Sequence, residues 1–320
     1  MKNVLVTGGA GFIGSHVVDL LLEKKAKIIV MDNLSSGSLR NLEHVASEIA
    51  FYEGDITNKE DVEAVFQQHS NIDSVVHLAA QSKVGPSIEN PEEDANININ
   101  GTINVLEVSR KFAVKSFVFS STAAVYGDVG HLPILEDQST EPLSPYGVSK
   151  LSAEEYVKAY GRLYGMEVTN LRFANVYGPR QSAATESGVI TIFIEDLLSR
   201  KTPVIFGDGE QTRDFIYVLD IAGAILAILY GRSNERNKQA LYNVSSCSET
   251  TILTLLDVIC KDMGEAFSPS YQEERKGDIK RSCLDNGKLV NAYDWKPQTS
   301  LQEGIRETVQ YYKRIAVREK

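Results

Sequence analysis

The sequence predicts an α/β protein built on a doubly wound parallel sheet, with a smaller C-terminal lobe interleaved into it. Three observations carry this expectation: short apolar runs, amphipathic stretches between them, and a glycine-rich turn directly after the first run. Val4-Leu5-Val6 and residues 27–31, 49–52, 74–78 and 116–119 are short and nearly continuous in apolarity. Strands buried on both faces of a parallel sheet look this way. Helical patterns separate them: one after Gly14, with Val17, Val18, Leu21 and Leu22 on one stripe, one over about 60–68, and a long one over about 91–112. Alternating strands and helices make βαβ units. Past Leu171 the alternation breaks, with turns at Gly178-Pro179, Gly207-Asp208-Gly209 and Gly287, and a last helix over about 301–317. The expected division is 1–170 for the sheet domain and 171–320, mainly, for the second lobe.

A chain of 320 residues can bury a large core. Its net charge of −10 argues against a general surface for nucleic acid or anionic membrane. No apolar run reaches the length of a membrane span. Cys247, Cys260 and Cys283 are far apart in sequence, without metal-ligand or disulfide-framework spacing. A reducing, cytoplasmic setting is therefore expected, and Val4-Leu5-Val6 already reads as a strand where a signal peptide would lie. No metal is expected, because His16, His44 and His131 form no ligand-like cluster. Asn243-Val244-Ser245 fits a glycosylation sequon that such a setting leaves idle.

The turn Thr7-Gly8-Gly9-Ala10-Gly11-Phe12-Ile13-Gly14 satisfies G-x-G-x-x-G at Gly9, Gly11 and Gly14. After a strand and opening a helix, such glycines permit a tight turn, close approach of backbone to a pyrophosphate, and close helix–sheet packing. The helix N-terminus offers free N–H groups to the phosphates. Asp32 ends the second strand, 18 residues beyond Gly14, where a carboxylate accepts from an adenosine ribose. Asn33 follows it, with no adjacent arginine to take a 2′-phosphate, so NAD is expected rather than NADP. Asp55, after the third strand, either reaches the adenine or is an ordinary turn aspartate.

Ser144-Pro145-Tyr146-Gly147-Val148-Ser149-Lys150 carries the expected chemistry. Ser144 caps a helix whose first residue is Pro145. Tyr146 and Lys150 then lie one turn apart on one face. The ammonium and the positive helix end are expected to favour phenolate, letting Tyr146 take a hydroxyl proton while hydride leaves the same carbon. Thr122 and Ser121, at the end of the preceding strand, face the ligand crevice of such a sheet and are candidates to relay that proton.

With these motifs the chain resembles the extended short-chain dehydrogenase/reductase superfamily, a Rossmann-like fold, and within it the NAD-dependent sugar-nucleotide epimerases of the UDP-galactose 4-epimerase type. The resemblance runs through residues 7–16, 32–37, 77–80, 120–127, 144–150, 171–181 and 206–220, and through Arg275 to Asp278. It implies an isomerase with NAD on the sheet and a UDP-sugar in the second lobe. It also implies a homodimer paired through the helices near 91–112 and 146–164. For the cofactor it implies Gly8, Gly11, Phe12, Ile13, Gly14, Asp32, Asn33, Ser36, Gly37, Asp55, Ile56, Leu78, Ala79, Ala80, Asn98, Ser120, Tyr146 and Lys150. For the substrate it implies Ser82, Ser121, Thr122, Tyr146, Asn175, Val189, Phe206, Arg213, Arg275, Asp278 and Ser282.

The resemblance also discriminates among reactions. Related 4,6-dehydratases carry an Asp-Glu pair after the threonine, and related decarboxylases a glutamate. Here Ala123 and Ala124 follow Thr122, which disfavours both reactions. Ser282 matches a position that gates a sugar N-acetyl group, and its small size implies that plain and N-acetylated sugars both enter. Hexose-type epimerases carry a lysine where this chain has Ser82, with Lys83 beside it. That leaves a UDP-glucuronate 4-epimerase or another sugar-nucleotide oxidoreductase open. A non-catalytic NAD-sensing regulator is the reading from a different class, against which Tyr146 and Lys150 both stand intact.

Overall fold

A computed structural model describes residues 2–182, 188–231, 239–274 and 279–318 of the chain. Its strands are β1 (Asn3–Thr7), β2 (Lys27–Asp32), β3 (Ile49–Glu53), β4 (Ser74–His77), β5 (Ser116–Thr122) and β6 (Glu167–Phe173), then the short β7 (Asn175–Tyr177), β8 (Val204–Phe206), β9 (Thr212–Arg213) and β10 (Phe215–Tyr217), then β11 (Gln239–Val244), β12 (Thr250–Thr251) and β13 (Ser270–Gln272). Seven of them form one parallel sheet in the order β11-β6-β5-β4-β1-β2-β3. This is the doubly wound arrangement, whose strand order reverses between β1 and β4. Ligands in such sheets bind beyond the strand C-termini at that reversal.

Side chains alternate between the two faces, as the pleat requires. Val4, Val6, Ile28, Val30 and Val76 pack on one face with Val17, Val18 and Leu21 of the Phe12–Glu23 helix and with Ile221 and Ile225 of the Val218–Tyr230 helix. Leu5, Ile29, Met31, Val75 and Phe117 point the other way, onto Val62, Phe66, Leu106 and Val157. A third core belongs to the second lobe, where Tyr177, Phe193, Phe215, Leu256, Ile305 and Val309 meet. The expected boundary at 170/171 falls inside β6, and β11 returns to the main sheet from well within the second half.

The long helix expected over 91–112 is three pieces: Pro91–Ala95, a π-helical segment Asn96–Gly101, and Thr102–Lys111. The wider turn is invisible to a 3.6-residue periodicity, and such insertions recur beside functional sites. Here it lies directly behind the cleft. Among the described residues, no helix is long and apolar enough to cross a membrane. The sequon residue Asn243 is fully buried, accepting from the Tyr126 hydroxyl at 2.6 Å and donating to the Ile134 carbonyl at 2.9 Å.

Candidate active site

A cleft of about 1120 Å³ opens at the C-terminal ends of the strands, between the sheet and the second lobe. Its floor is the glycine turn. The left-handed residue there is Gly8, at φ +71°, and a Cβ on it would fall 2.6 Å from the Ala79 amide nitrogen. The sequence assigns the tight turn to Gly9, but Gly9 instead makes room for the Val30 side chain, at 2.7 Å from a built Cβ. A Cβ on Gly14 would collide with the Gly8 carbonyl oxygen, so that glycine seats the helix against the turn. Gly11 caps the Phe12–Glu23 helix without a side-chain acceptor, leaving the first amides facing the cleft.

Asp32 stands at the C-terminus of β2 on the cleft wall. Its Oδ2 accepts from the Ala10 amide at 2.9 Å and its Oδ1 from the Leu34 amide at 2.8 Å. Burial pushes its carboxyl up, against the pull of those backbone donors. Asp55 is also on the wall, accepting from Thr57 through its amide at 2.8 Å and its hydroxyl at 2.7 Å, and from the Asn33 side chain at 2.8 Å. Partial burial opposes ionisation there, but these donors outweigh it and hold the carboxyl below its usual range. Phe12, Ile13, Ser36, Ile56, Leu78, Ala79, Ala80 and Ser120 line the same region.

Two expected cofactor residues stand behind the wall. Gly37 packs on Ala10 and the Asp32 carboxylate, 3.0 Å from a built Cβ. Asn98 is buried, and its side chain is spent on protein. It accepts from the Gln81 amide at 3.0 Å and donates to the Gln81 carbonyl at 3.0 Å, Asp94 Oδ1 at 3.1 Å and Ser149 Oγ at 3.0 Å. The remaining cradle fits a dinucleotide: glycines where a Cβ would fill the floor, free helix amides beside them, and a carboxylate at the ribose end. NAD would be held there by the Gly8–Gly14 turn and Asp32.

Tyr146 and Lys150 enter from the side, on the Pro145–Tyr164 helix. Ser144 caps that helix by accepting from the Gly147 amide at 3.2 Å, and Pro145 occupies its first turn. Thr122, at the end of β5, acts on the Tyr146 hydroxyl in favour of its ionised form. Thr122 is itself fixed there, where its hydroxyl accepts from the Ala124 amide at 3.2 Å. Lys150 is 3% exposed, its ammonium 4.6 Å from the centroid of the Phe119 ring. Burial brings it down to about 8, while the Asp94 and Glu154 carboxylates act against that fall.

Burial works against the expected phenolate. It pushes Tyr146 up to about 12, opposed by Thr122 and reinforced by the Asp94 charge. Ser121 is also diverted. Its hydroxyl donates to Glu154 Oε1 at 2.5 Å, which takes it out of the expected relay and leaves Thr122.

The second lobe closes the far wall with Asn175, Val189, Phe206, Arg213 and Ser282, facing Ser82 and Lys83 across the cleft. Arg213 donates to the Thr212 carbonyl at 2.8 Å. Arg275 and Asp278 lie outside the described residues. The sequence reading missed Gln81, Gln211 and the apolar Ile192, Phe193 and Ile205, which also line the cleft. Gln81 follows β4, while Ile192 and Phe193 lie on the Val189–Leu198 helix and Ile205 on β8, where no motif spacing marks them. It missed Asp94 as well, whose only signal is an acidic residue one helical turn before Asn98.

The comparisons with known proteins agree with this geometry. Residues 4–245 match the model of the NAD dependent epimerase/dehydratase family. The UDP-glucose 4-epimerase of Thermotoga maritima, solved with UDP-glucose, is 42% identical with a TM-score of 0.93, covering 98% of this chain and 100% of that one. The UDP-glucose 4-epimerase of Thermus thermophilus, solved with NAD, is 38% identical with a TM-score of 0.89, covering 98% and 99%. The UDP-N-acetylglucosamine 4-epimerase of Methanobrevibacter ruminantium, in complex with UDP-N-acetylmuramic acid, is 36% identical with a TM-score of 0.91, covering 98% and 99%. A nucleotide cradle, a tyrosine–threonine–lysine constellation and a family match over most of the chain thus converge: this protein is an enzyme of the NAD-dependent epimerase/dehydratase family.

Proposed function

We propose that the enzyme interconverts the C4 epimers of a UDP-sugar. The observation that carries this reading is the convergence of Tyr146, Thr122 and Lys150 on the wall of the same cleft as the glycine turn. Beyond Thr122 the wall offers only the methyl groups of Ala123 and Ala124, with no acid or base there for eliminating water. When bound, NAD supplies reversible hydride acceptance from the sugar C4. Tyr146, as phenolate, takes the proton from the 4-hydroxyl and, as phenol, returns it to the 4-keto oxygen, with Thr122 aligning that hydroxyl. The Lys150 ammonium, buried at the wall of the same cleft, is suited to hold a cofactor ribose hydroxyl. Asn175 and Arg213 are suited to the diphosphate, because a guanidinium pairs with phosphate oxygens.

The test is incubation of the purified protein with UDP-glucose, UDP-GlcNAc and UDP-glucuronate, without added cofactor, followed by NMR. A 4-epimer is expected without net NADH. Absence of any epimer, or formation of a dehydrated sugar, rejects the reading. UDP-glucuronate belongs in that panel because Lys83 lines the sugar end of the cleft beside Ser82.

Ser282 on the far wall supports acceptance of N-acetylated sugars as well as plain ones. Ser282→Tyr is expected to lower kcat/KM for UDP-GlcNAc about tenfold more than for UDP-glucose, since a pocket rejects what it cannot fit. Equal losses on both substrates would remove this role from Ser282.

The reading includes a cytoplasmic homodimer. Three free cysteines support a reducing setting. An apolar surface on neighbouring helices supports pairing, with Ile88 62% and Leu163 72% exposed and Val148 and Tyr156 also open to solvent. Sedimentation showing only monomer at micromolar concentration would exclude the dimer.

A further inference from the structure

Asp94 is 1% exposed, on the short Pro91–Ala95 helix behind the cleft. Its Oδ1 accepts from Gln81 Nε2 at 2.7 Å and from Asn98 Nδ2 at 3.1 Å. Its Oδ2 is buried without a hydrogen-bond partner. Leaving a carboxylate oxygen unpaired in the interior is expensive unless an opposite charge faces it.

The groups around Lys150 identify that charge. On its own helix, burial favours the neutral phenol at Tyr146, and Glu154 accepts from Arg172 Nε at 2.9 Å and Nη2 at 2.7 Å, so its charge is already matched. From β4 comes His77, held between Thr7 Oγ1 at 2.7 Å and Thr102 Oγ1 at 3.0 Å and brought down to about 3 by burial and then by Lys150, hence neutral. From β5 comes only the Phe119 ring. Asp94 is the remaining carboxylate acting on the ammonium.

We propose, building on the epimerase reading, that Asp94 is a positioning residue of the catalytic pair: it places a buried carboxylate on the helix packed against that of Lys150 and ties the sugar-side turn to the catalytic helix. The second half of this role is a chain of contacts. Gln81, held by Asp94, accepts from the Lys83 amide at 2.5 Å and donates to the Lys83 carbonyl at 2.9 Å. Asn98, also held by Asp94, donates to Ser149, the residue before Lys150. One carboxylate therefore sets both the 81–83 turn on the cleft wall and the helix that carries Lys150.

The test compares wild type with Asp94→Asn, which keeps acceptor and size, and Asp94→Glu, which keeps the charge. The readout is the pH titration of the ε-carbon lysine NMR signal that disappears in Lys150→Arg, alongside melting temperature and the pH profile of kcat. In Asp94→Asn the Lys150 midpoint and the alkaline limb of kcat are expected to move down by about one pH unit, the scale of one nearby opposite charge. Asp94→Glu is expected to restore most of both. An unmoved Lys150 titration in folded Asp94→Asn overturns the proposal. So does unfolding of Asp94→Asn, which would make the charge structural. Because the titration needs no substrate, its failure is distinct from a failure to epimerise.

Discussion

Tyr146→Phe is expected to lower kcat by a factor of about 10²–10⁴, the range that one positioned proton-transfer group contributes. The ring stays and only the hydroxyl goes, so the fold and the cradle should persist. Tyr146 lines the cleft, but the glycine turn and Asp32 are remote from its hydroxyl in sequence and come from other elements. The purified variant should therefore carry as much NAD as wild type, measured by absorbance after denaturation, and melt within a few degrees of it. A variant turning over within tenfold of wild type would reject Tyr146 as the proton carrier. Burial pushes Tyr146 up to about 12, so its service as proton acceptor depends on positive charge brought close to it. Below about 8 it sits beside an ammonium, and as pH rises through that value Lys150 becomes neutral.

Arg172→Met is expected to destabilise the protein by about 3–5 kcal/mol, read as a lower urea midpoint at unchanged m-value. Arg172 lies on β6 with its side chain 3% exposed, and its partner Glu154 is fully buried. Their paired hydrogen bonds match a planar guanidinium to a carboxylate. Arg172 also lies over the Tyr126 ring, 4.6 Å from its centroid. Removing it leaves Glu154 with the Ser121 hydroxyl and with Lys158, whose ammonium is 3.9 Å away. The double variant Arg172→Met/Glu154→Leu is expected to recover part of the loss, because no buried charge then lacks its counterpart. A single-variant loss under about 1 kcal/mol would show that solvent reaches the pair.

The same residues explain what the sequence conceals. β1 to β5 are legible because apolar residues fill most of their buried positions, from Val4 to Phe119. β6 and β11 are not, because Asn170, Arg172 and Asn243 take core positions in them. Arg172 and Asn243 are paired with partners in the interior, whereas the Asn170 side chain is buried without a hydrogen-bond partner, and hydropathy fades while the ladder continues. The extension of β5 to Thr122 is hidden for the same reason: Ser120 and Ser121 are buried with partners in the sheet and on the neighbouring helix. At the site, motifs with fixed spacing identify the glycine turn, Asp32, Tyr146 and Lys150. Asp94 and the inward turn of Asn98 depend on the π-helical segment, and a charge state such as that of Tyr146 depends on burial, which spacing does not encode.

The late return of β11 sets an order on biosynthesis. As the chain leaves the ribosome, six strands can assemble once residue 173 has emerged, but the β6 edge then stays open until residues 239–244 arrive. An open edge is a template for pairing with another chain. Over that interval Tyr126 also lacks Asn243, its acceptor across the gap. The nascent protein is thus most vulnerable to aggregation midway through its synthesis, and a fragment ending before 239 should be less soluble than one ending after 244.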